Sequence, residues 1–520
     1  MLFFLKQLIN NVTINLNCSL IGYLLAIAAI IISYYCCNNI FNYWFNRAKL
    51  LKFALTLPGP PTLPFIGNAL EFAVSAEDTL DKVVDLVRTN ESTFRFWLGP
   101  KLIVVLSDPR DYEIILASSK ASYKDPVYDL LGPVIGKGLV SGSGPTHRIH
   151  RKIIMPMVNS KALSIYLKCF NIHTRYCNEL LKLKINSNDE FDILPFMTNC
   201  TSDMMLECII GVQGTAQKGG YKQFVHYSDR IYELLHMRMM KVWLHPDFIF
   251  KRTKMGEEQE QALNIVHGLI DNVICRKKKE YMAIERGVID RNELKVSLLD
   301  QLIDHAMKNK SMDDLELRYE IYTVYIAAQD TVAVIASFAL LMLAIHQNIQ
   351  DKLRKEIYDI LGDDDDDDID EIHIQKFKYL DMIIRETIRM YPIAPLMVRK
   401  TTGEIKLETC TLPENCSIVM AAYMTHRDKN HWIEPDKFNP DRFLSNFVKE
   451  RHPYSFVGFS GGLRGCIGQK LAIMSLKTII ANVIRKYKLN TSQKLDDLKL
   501  KMDISIRSRC GYKINIKEIN

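Results

Sequence analysis

A single cysteine among glycines, immediately before a helical run, is the tightest constraint in this chain. The segment reads Phe459-Ser-Gly-Gly462-Leu-Arg464-Gly-Cys466-Ile-Gly468, and Gln469 opens the helical pattern. Glycines let a backbone approach a bulky group and turn with positive φ. A helix N-terminus points amide hydrogens and a positive dipole end at the sulfur, which lowers a thiol pKa. Arg464 is placed to pair with an anionic group on a cofactor's rim. The segment therefore suits a thiolate bonded to a large flat cofactor. Most cysteines are simply small buried residues, and that plain alternative applies to any of the twelve taken alone. Structural zinc is a poor rival for Cys466, which has no Cys or His partner at short spacing.

The 520 residues are 48% hydrophobic and 24% charged. That is an ordinary globular composition. No Gly/Ser linker or internal repeat divides the interior, so one large domain is expected. The net charge of +7 comes from scattered basic residues. Such scatter leaves no nucleic-acid footprint. The cysteines form no CxxC pair and no secreted-style framework, which favours a reduced, cytosol-facing body.

Leu20 to Cys37 is almost wholly apolar. About eighteen such residues just span a bilayer core. Arg47, Lys49 and Lys52 follow the run and only Lys6 precedes it, so the body is expected on the cytosolic side. The run is too long for a signal peptide and lacks a small-residue cleavage site. The expected organisation is a luminal tail at 1–19, a transmembrane anchor at 20–37, a basic and proline-rich hinge at 38–68, and one large domain at 69–520. Leu57-Pro-Gly-Pro-Pro61 stiffens that hinge, because proline fixes φ.

Short apolar runs at 93–116, such as Leu102-Ile-Val-Val-Leu106, predict strands followed by a helix. From about 150 to 345 the pattern is mainly helical. Asp313–Gln347 is its longest stretch, acidic at the start and ending in the apolar run Val332–Ile345. That run is too short to cross a membrane and predicts a buried core helix. Strands are expected again at 400–420 and a helix at 469–488. Asp363–Asp368 is a run of like charges, hence a solvated loop.

Three polar groupings stand out. Asp330-Thr331 interrupts the apolar core helix, where unpartnered polar groups are costly. A mid-helix threonine bonds back to a carbonyl and opens the helix locally. Glu386 and Arg389 share a helix face at i, i+3. Arg442 follows in Trp432-Ile-Glu-Pro435-Asp-Lys-Phe438-Asn-Pro440-Asp-Arg442-Phe443. Arg399 and Arg151 offer planar forks for carboxylates.

Taken in order, these segments resemble the cytochrome P450 superfamily, microsomal type. The loop fills every fixed position of Phe-x-x-Gly-x-Arg-x-Cys-x-Gly, and Glu386-Thr-Ile-Arg389 with Arg442 is similar to the family's Glu-x-x-Arg triad. Met240-Lys-Val-Trp243-Leu-His-Pro246-Asp247-Phe248 resembles the animal and insect family 4 clan. The resemblance implies a fold that is mainly α with minor β (the cytochrome P450 fold) behind an N-terminal transmembrane helix. It implies haem b, iron protoporphyrin IX, with Cys466 as axial iron ligand. Phe459, Arg464, Arg399, Arg151 and His147 then contact the cofactor, His147 standing where the family usually has tryptophan. Thr331 and Asp330 are implied to be catalytic. Glu386, Arg389 and Arg442 are implied to be structural. Some relatives carry a glutamate at the place of Ala327 that bonds covalently to haem; alanine predicts non-covalent haem.

By the same resemblance the activity is monooxygenation of a small apolar substrate by O2. Electrons come from NADPH-cytochrome P450 reductase, with cytochrome b5 a second donor. The setting is the endoplasmic reticulum membrane, single-pass, with the catalytic domain cytosolic. Arg148, Arg151 and Lys152 would face the reductase. Two other readings stay open on sequence alone: a haem-thiolate isomerase or dehydratase of lipid peroxides, and a non-catalytic haem-binding protein. Substrate walls are expected around 110–135 and 200–250.

Overall fold

The computed structural model describes residues 47–75, 77–185, 189–287, 297–362 and 367–519. The expected anchor at 20–37 lies outside the described residues, as does most of the aspartate run at 363–368. The chain divides into two compact units, residues 1–57 and 58–520. In the first, 47–54 are helical. The second begins within the expected hinge. Pro58 accepts a hydrogen bond from Arg95 N at 2.9 Å, and Gly67 bridges to Leu98. The proline-rich path after residue 57 is thus laid against the body.

After a helix at Thr79–Arg88 comes a hairpin, with β1 at Thr93–Leu98 and β2 at Lys101–Leu106 turning at Gly99, where φ is +57. The apolar run in β2 is buried on both faces, as befits a central strand. Helix α1, Pro109–Ala117, starts where Asp108 accepts from Arg110 N. Then come α2 (Gly144–Ile154), α3 (Ser160–Lys182), β3 (Phe191–Asp192) and α4 (Leu194–Met205). They are followed by α5 (Lys222–Met240), α6 (Lys254–Glu285) and α7 (Leu298–Asn309).

The central helix is α8, Asp314–Ile345. Its start is a reciprocal cap: Glu316 N donates to Asp313 and Asp313 N donates to Glu316, at 2.8 and 3.1 Å. That satisfies two otherwise orphaned donors. The most apolar stretch of this helix is 83% buried. A helix apolar all round belongs in a core, and α4, α6 and the later α11 pack around it. At 32 residues α8 is matched in length by α6, so it is not the sole longest helix.

Helices α9 (Gln347–Leu361) and α10 (Lys378–Met390) lead to β4 (Met397–Lys400) and β5 (Ser417–Met420). The first sheet runs β1-β2-β5-β4, with β5 parallel to β2 and antiparallel to β4. After α11 (Gln469–Lys486) come β6 (Tyr487–Asn490), β7 (Leu500–Met502), β8 (Ile506–Ser508) and β9 (Lys513–Glu518). A second sheet runs β3-β9-β6. The fold is mainly α with minor β, as expected.

Candidate active site

The loop at 457–468, α8 and α2 enclose an apolar cavity of about 340 Å³. Cys466 is the one cysteine on its wall among the described residues, beside Phe459, Arg464, Arg151, His147 and Thr331. The loop is held from its own backbone, because Cys466 N donates to Phe459 O at 3.0 Å. Gly462 has φ +58, and a Cβ there would meet Leu116 O at 1.9 Å. No other residue fits both the turn and the approach to α1.

The Cys466 thiol departs from expectation. Burial raises its pKa, and this outweighs the lowering by Gly468 N–H and Arg151. Residue 466 is nevertheless exposed, because the loop opens into the cavity. The protein alone therefore favours the thiol, and a metal at the sulfur would deprotonate it.

Beside the sulfur lies a crowd of cations. Arg464 donates to Ser122 O and Gly142 O, yet its Nη1 is buried without a partner. Arg151 Nη1 donates to Gly465 O at 2.7 Å. Arg399, 4% exposed, donates to the neighbouring Val398 O and meets Tyr128, with no carboxylate opposite it among the described residues. Lys124 joins them, its ammonium held well below the usual range by burial and then by Arg399 and Arg464. His147 is 7% exposed, so it is no surface histidine. Burial, then Arg464, Arg151, Lys124 and Arg399, push it down to about 4. It is neutral near pH 7 in the protein frame and keeps one N–H to donate. No carboxylate lines this cavity among the described residues. Buried cations without counter-charge are costly. An apolar slot, a sulfur at its wall and unpaired forks at its rim fit a porphyrin with two carboxylates. Lys124 was not visible in the sequence, since it reaches the site from a loop far from every motif.

Thr331 lines the cavity, and its Oγ1 donates back to Ala327 O at 2.7 Å. The helix stays continuous through this bond, so no opening of α8 is seen. Ala327 and Ala328 leave room on the same wall. Asp330 is brought next to Thr331 by sequence but not into the cavity. Its carboxylate is 3% exposed and pairs with Arg507 of β8. Burial raises its pKa, and Arg507 opposes the shift.

Behind the loop, Arg389 clamps Glu386 with two hydrogen bonds of 2.7 and 2.8 Å, both residues fully buried. Arg442 Nε reaches the same carboxylate at 3.3 Å, and Asn439 N donates to it at 2.9 Å. The buried carboxylate is thus fully bonded. His426, absent from the sequence reading, connects this group to the loop. Its Nδ1 lies 3.2 Å from Arg389 O and its Nε2 accepts from Val457 N at 2.9 Å. Accepting there requires neutral imidazole. Burial, then Arg389 and Arg427, push its pKa down to about 3 from 6.5. A folded pKa below the unfolded one gives stability that is present above pH 6.5 and lost as pH falls toward 3. Loss of bound haem on acidification should therefore be steeper in wild type than in His426→Gln, which keeps a donor and an acceptor. His147 titrates in the same window in both proteins, so equal slopes would remove this role from His426.

The family model for cytochrome P450 matches residues 57–511. Cytochrome P450 4c3 of Drosophila melanogaster is 29% identical over 91% of this chain and 91% of its own length. Probable cytochrome P450 4s3 of the same fly is 30% identical, over 85% and 88%. Cytochrome P450 4c21 of Blattella germanica is 28% identical, over 88% and 92%. A match across most of the chain, on top of a cysteine-walled cavity ringed by cations, places this protein in the cytochrome P450 family, as a haem-thiolate monooxygenase similar to the family 4 members of insects.

Proposed function

We propose that this enzyme inserts one oxygen atom from O2 into a small apolar substrate, a lipid, a hormone-like terpenoid or a xenobiotic. The observation that carries the reading is one apolar cavity walled by both Cys466 and Thr331. Cys466 would ligate the haem iron through its sulfur. Arg464, Arg399, Arg151 and Lys124 would hold the haem carboxylates, neutral His147 would donate to one of them, and Phe459 packs at the loop. Haem, when bound, supplies the oxygen activation, the thiolate favouring O–O cleavage. With Ala327 on the wall there is no carboxylate to bond to it, so haem is held non-covalently apart from the sulfur–iron bond.

The chain's own part is binding, dryness and protons. Apolar side chains such as Val324, Ile335 and Ile393 line the cavity, and excluding water strengthens every charge interaction inside. Thr331 holds a proton at Oγ1, kept on Ala327 O until substrate chemistry draws it. Asp330, a carboxylate while paired with Arg507, takes up a proton from water on leaving that pair and passes it toward Thr331. Glu386, Arg389 and Arg442 keep the loop rigid and touch no reactant.

Electrons come from NADPH-cytochrome P450 reductase, with cytochrome b5 a second donor, docking at exposed Arg148 and Lys152. The enzyme sits in the endoplasmic reticulum membrane through 20–37, with 69–520 cytosolic. Phe65, 97% exposed, and Leu63, Leu70 and Phe248 offer apolar surface, which supports contact of the body with lipid.

The test is NADPH-dependent oxygen uptake and product formation by the holoprotein with its reductase, across a panel of apolar substrates. Thr331→Val should cut product formation about 10²-fold with haem content unchanged, the scale of general acid help. Turnover of lipid peroxides without reductase, or no turnover of any substrate, would overturn the reading.

A further inference from the structure

A second cluster of metal-binding side chains lies away from the haem cavity, between α3 and the end of α4. Cys169 and His173 stand at i, i+4 on α3 and so share a face. Opposite them, α4 continues into a π-helical turn at Leu206–Ile210, closed by Gly211 at φ +76. Such turns are rare and often mark functional sites. This one presents Glu207. The Sγ, imidazole nitrogen and carboxylate oxygen of the three residues all lie within 4.8 Å of one another.

The two oxygens of Glu207 each lie near one of the other ligands, at distances close to the edges of a coordination shell. His173 Nε2 is 3.2 Å from Glu207 Oε1, and Cys169 Sγ is 3.6 Å from Glu207 Oε2. Tetrahedral zinc, with bonds of about 2.0 Å to N and O and about 2.3 Å to S, sets ligand edges of roughly 3.3–3.6 Å. In the absence of an ion, His173 pairs with Glu207 and the Cys169 thiol donates to the same carboxylate. His173 is 6% exposed and faces both Cys169 and Glu207, its Nε2 lying in an ion pair with the carboxylate. A buried ring nitrogen thus meets a thiol and a carboxylate at one point. On the other ring edge, Nδ1 lies 4.0 Å from Asp203 Oδ2. Asp203 is itself fixed by Ala216 N and Gln217 N. At 4.0 Å its contact with the ring is charge proximity and not a hydrogen bond. Cys169 and Glu207 are partly exposed, which leaves a path for an ion, and Cys208 sits beside Cys169.

We propose that Cys169, His173 and Glu207 bind one borderline divalent cation of the zinc class, with water or Cys208 in the fourth position. Sulfur, imidazole and carboxylate together suit zinc over magnesium or calcium. The ion ties α3 to the end of α4, and α4 packs along α8, so the site braces the helix that carries Thr331.

The test uses holoprotein with one haem per chain, stripped of loose metal, given Zn2+ and desalted. One zinc per haem is expected, with a zinc K-edge shell of at least one sulfur at about 2.3 Å and N/O neighbours at about 2.0 Å. Glu207→Gln and Cys169→Ala should lose that zinc while keeping haem. Cys275→Ala, at an exposed cysteine, should change nothing. Less than stoichiometric zinc, a shell without sulfur, or equal zinc in the Glu207 and Cys169 variants would overturn the site. Should a variant fail to hold haem, the wild-type shell decides alone.

Discussion

Cys466→Ser should give a protein whose reduced, carbon-monoxide-bound Soret band lacks the red shift of thiolate ligation, with product formation at background. The variant keeps the loop itself, since the Cys466 N to Phe459 O bond and the Gly462 turn involve only backbone. What it removes is the one sulfur on the cavity wall among the described residues. A serine hydroxyl does not supply a comparable anion, because burial already pushes even the more acidic thiol up. Haem should still bind weakly through the cation cluster, so a shifted but measurable haem signal is part of the expected result. A thiolate-type spectrum in Cys466→Ser would mean that another cysteine holds the iron, and the site assignment would fall.

Glu386→Gln should be the most damaging substitution outside the cavity. One carboxylate serves Arg389, Arg442 and Asn439 N. Arg451 lies nearby, its guanidinium 3.7 Å from the centre of the Trp432 ring. Neutralising Glu386 leaves buried guanidinium groups without their counter-ion. Removing one partner of a buried pair costs about 3–5 kcal/mol, against a total stability of roughly 5–15 kcal/mol for a typical domain. Little soluble holoprotein is expected, and what forms should melt well below wild type. Arg389→Lys should not rescue it, because lysine lacks the fork that makes two bonds to one carboxylate. A Glu386→Gln protein with normal haem content and melting temperature would show that the pair is dispensable.

Much of the site was legible because its parts are local. Cys466, Arg464 and Phe459 sit within eight residues, and Glu386 and Arg389 share one turn, so spacing alone states their geometry. The central helix was legible from its apolar run and acidic start. What escaped was built by packing across distant segments. Lys124 and His426 carry no motif, and each acquires its role from neighbours on other elements. Asp330 reads from sequence as half of a pair with Thr331, but successive residues on a helix point in different directions, and Arg507 of β8 takes its carboxylate. Cys169 and His173 were not singled out, and their third partner is supplied by a π-helical turn that no periodicity announces. The thiol of Cys466 was misjudged in direction, since a helix N-terminus was weighed without the burial that opposes it.

The cations at the rim of the cavity have a consequence for how much of this enzyme a cell can keep. Lys124, Arg151, Arg399 and Arg464 repel one another across a space that only an anion neutralises. A ligand that binds only the native state shifts the whole folding equilibrium by mass action. Tetrapyrrole supply thereby becomes a control on abundance, with chains made during a shortage falling to proteolysis before they ever turn over.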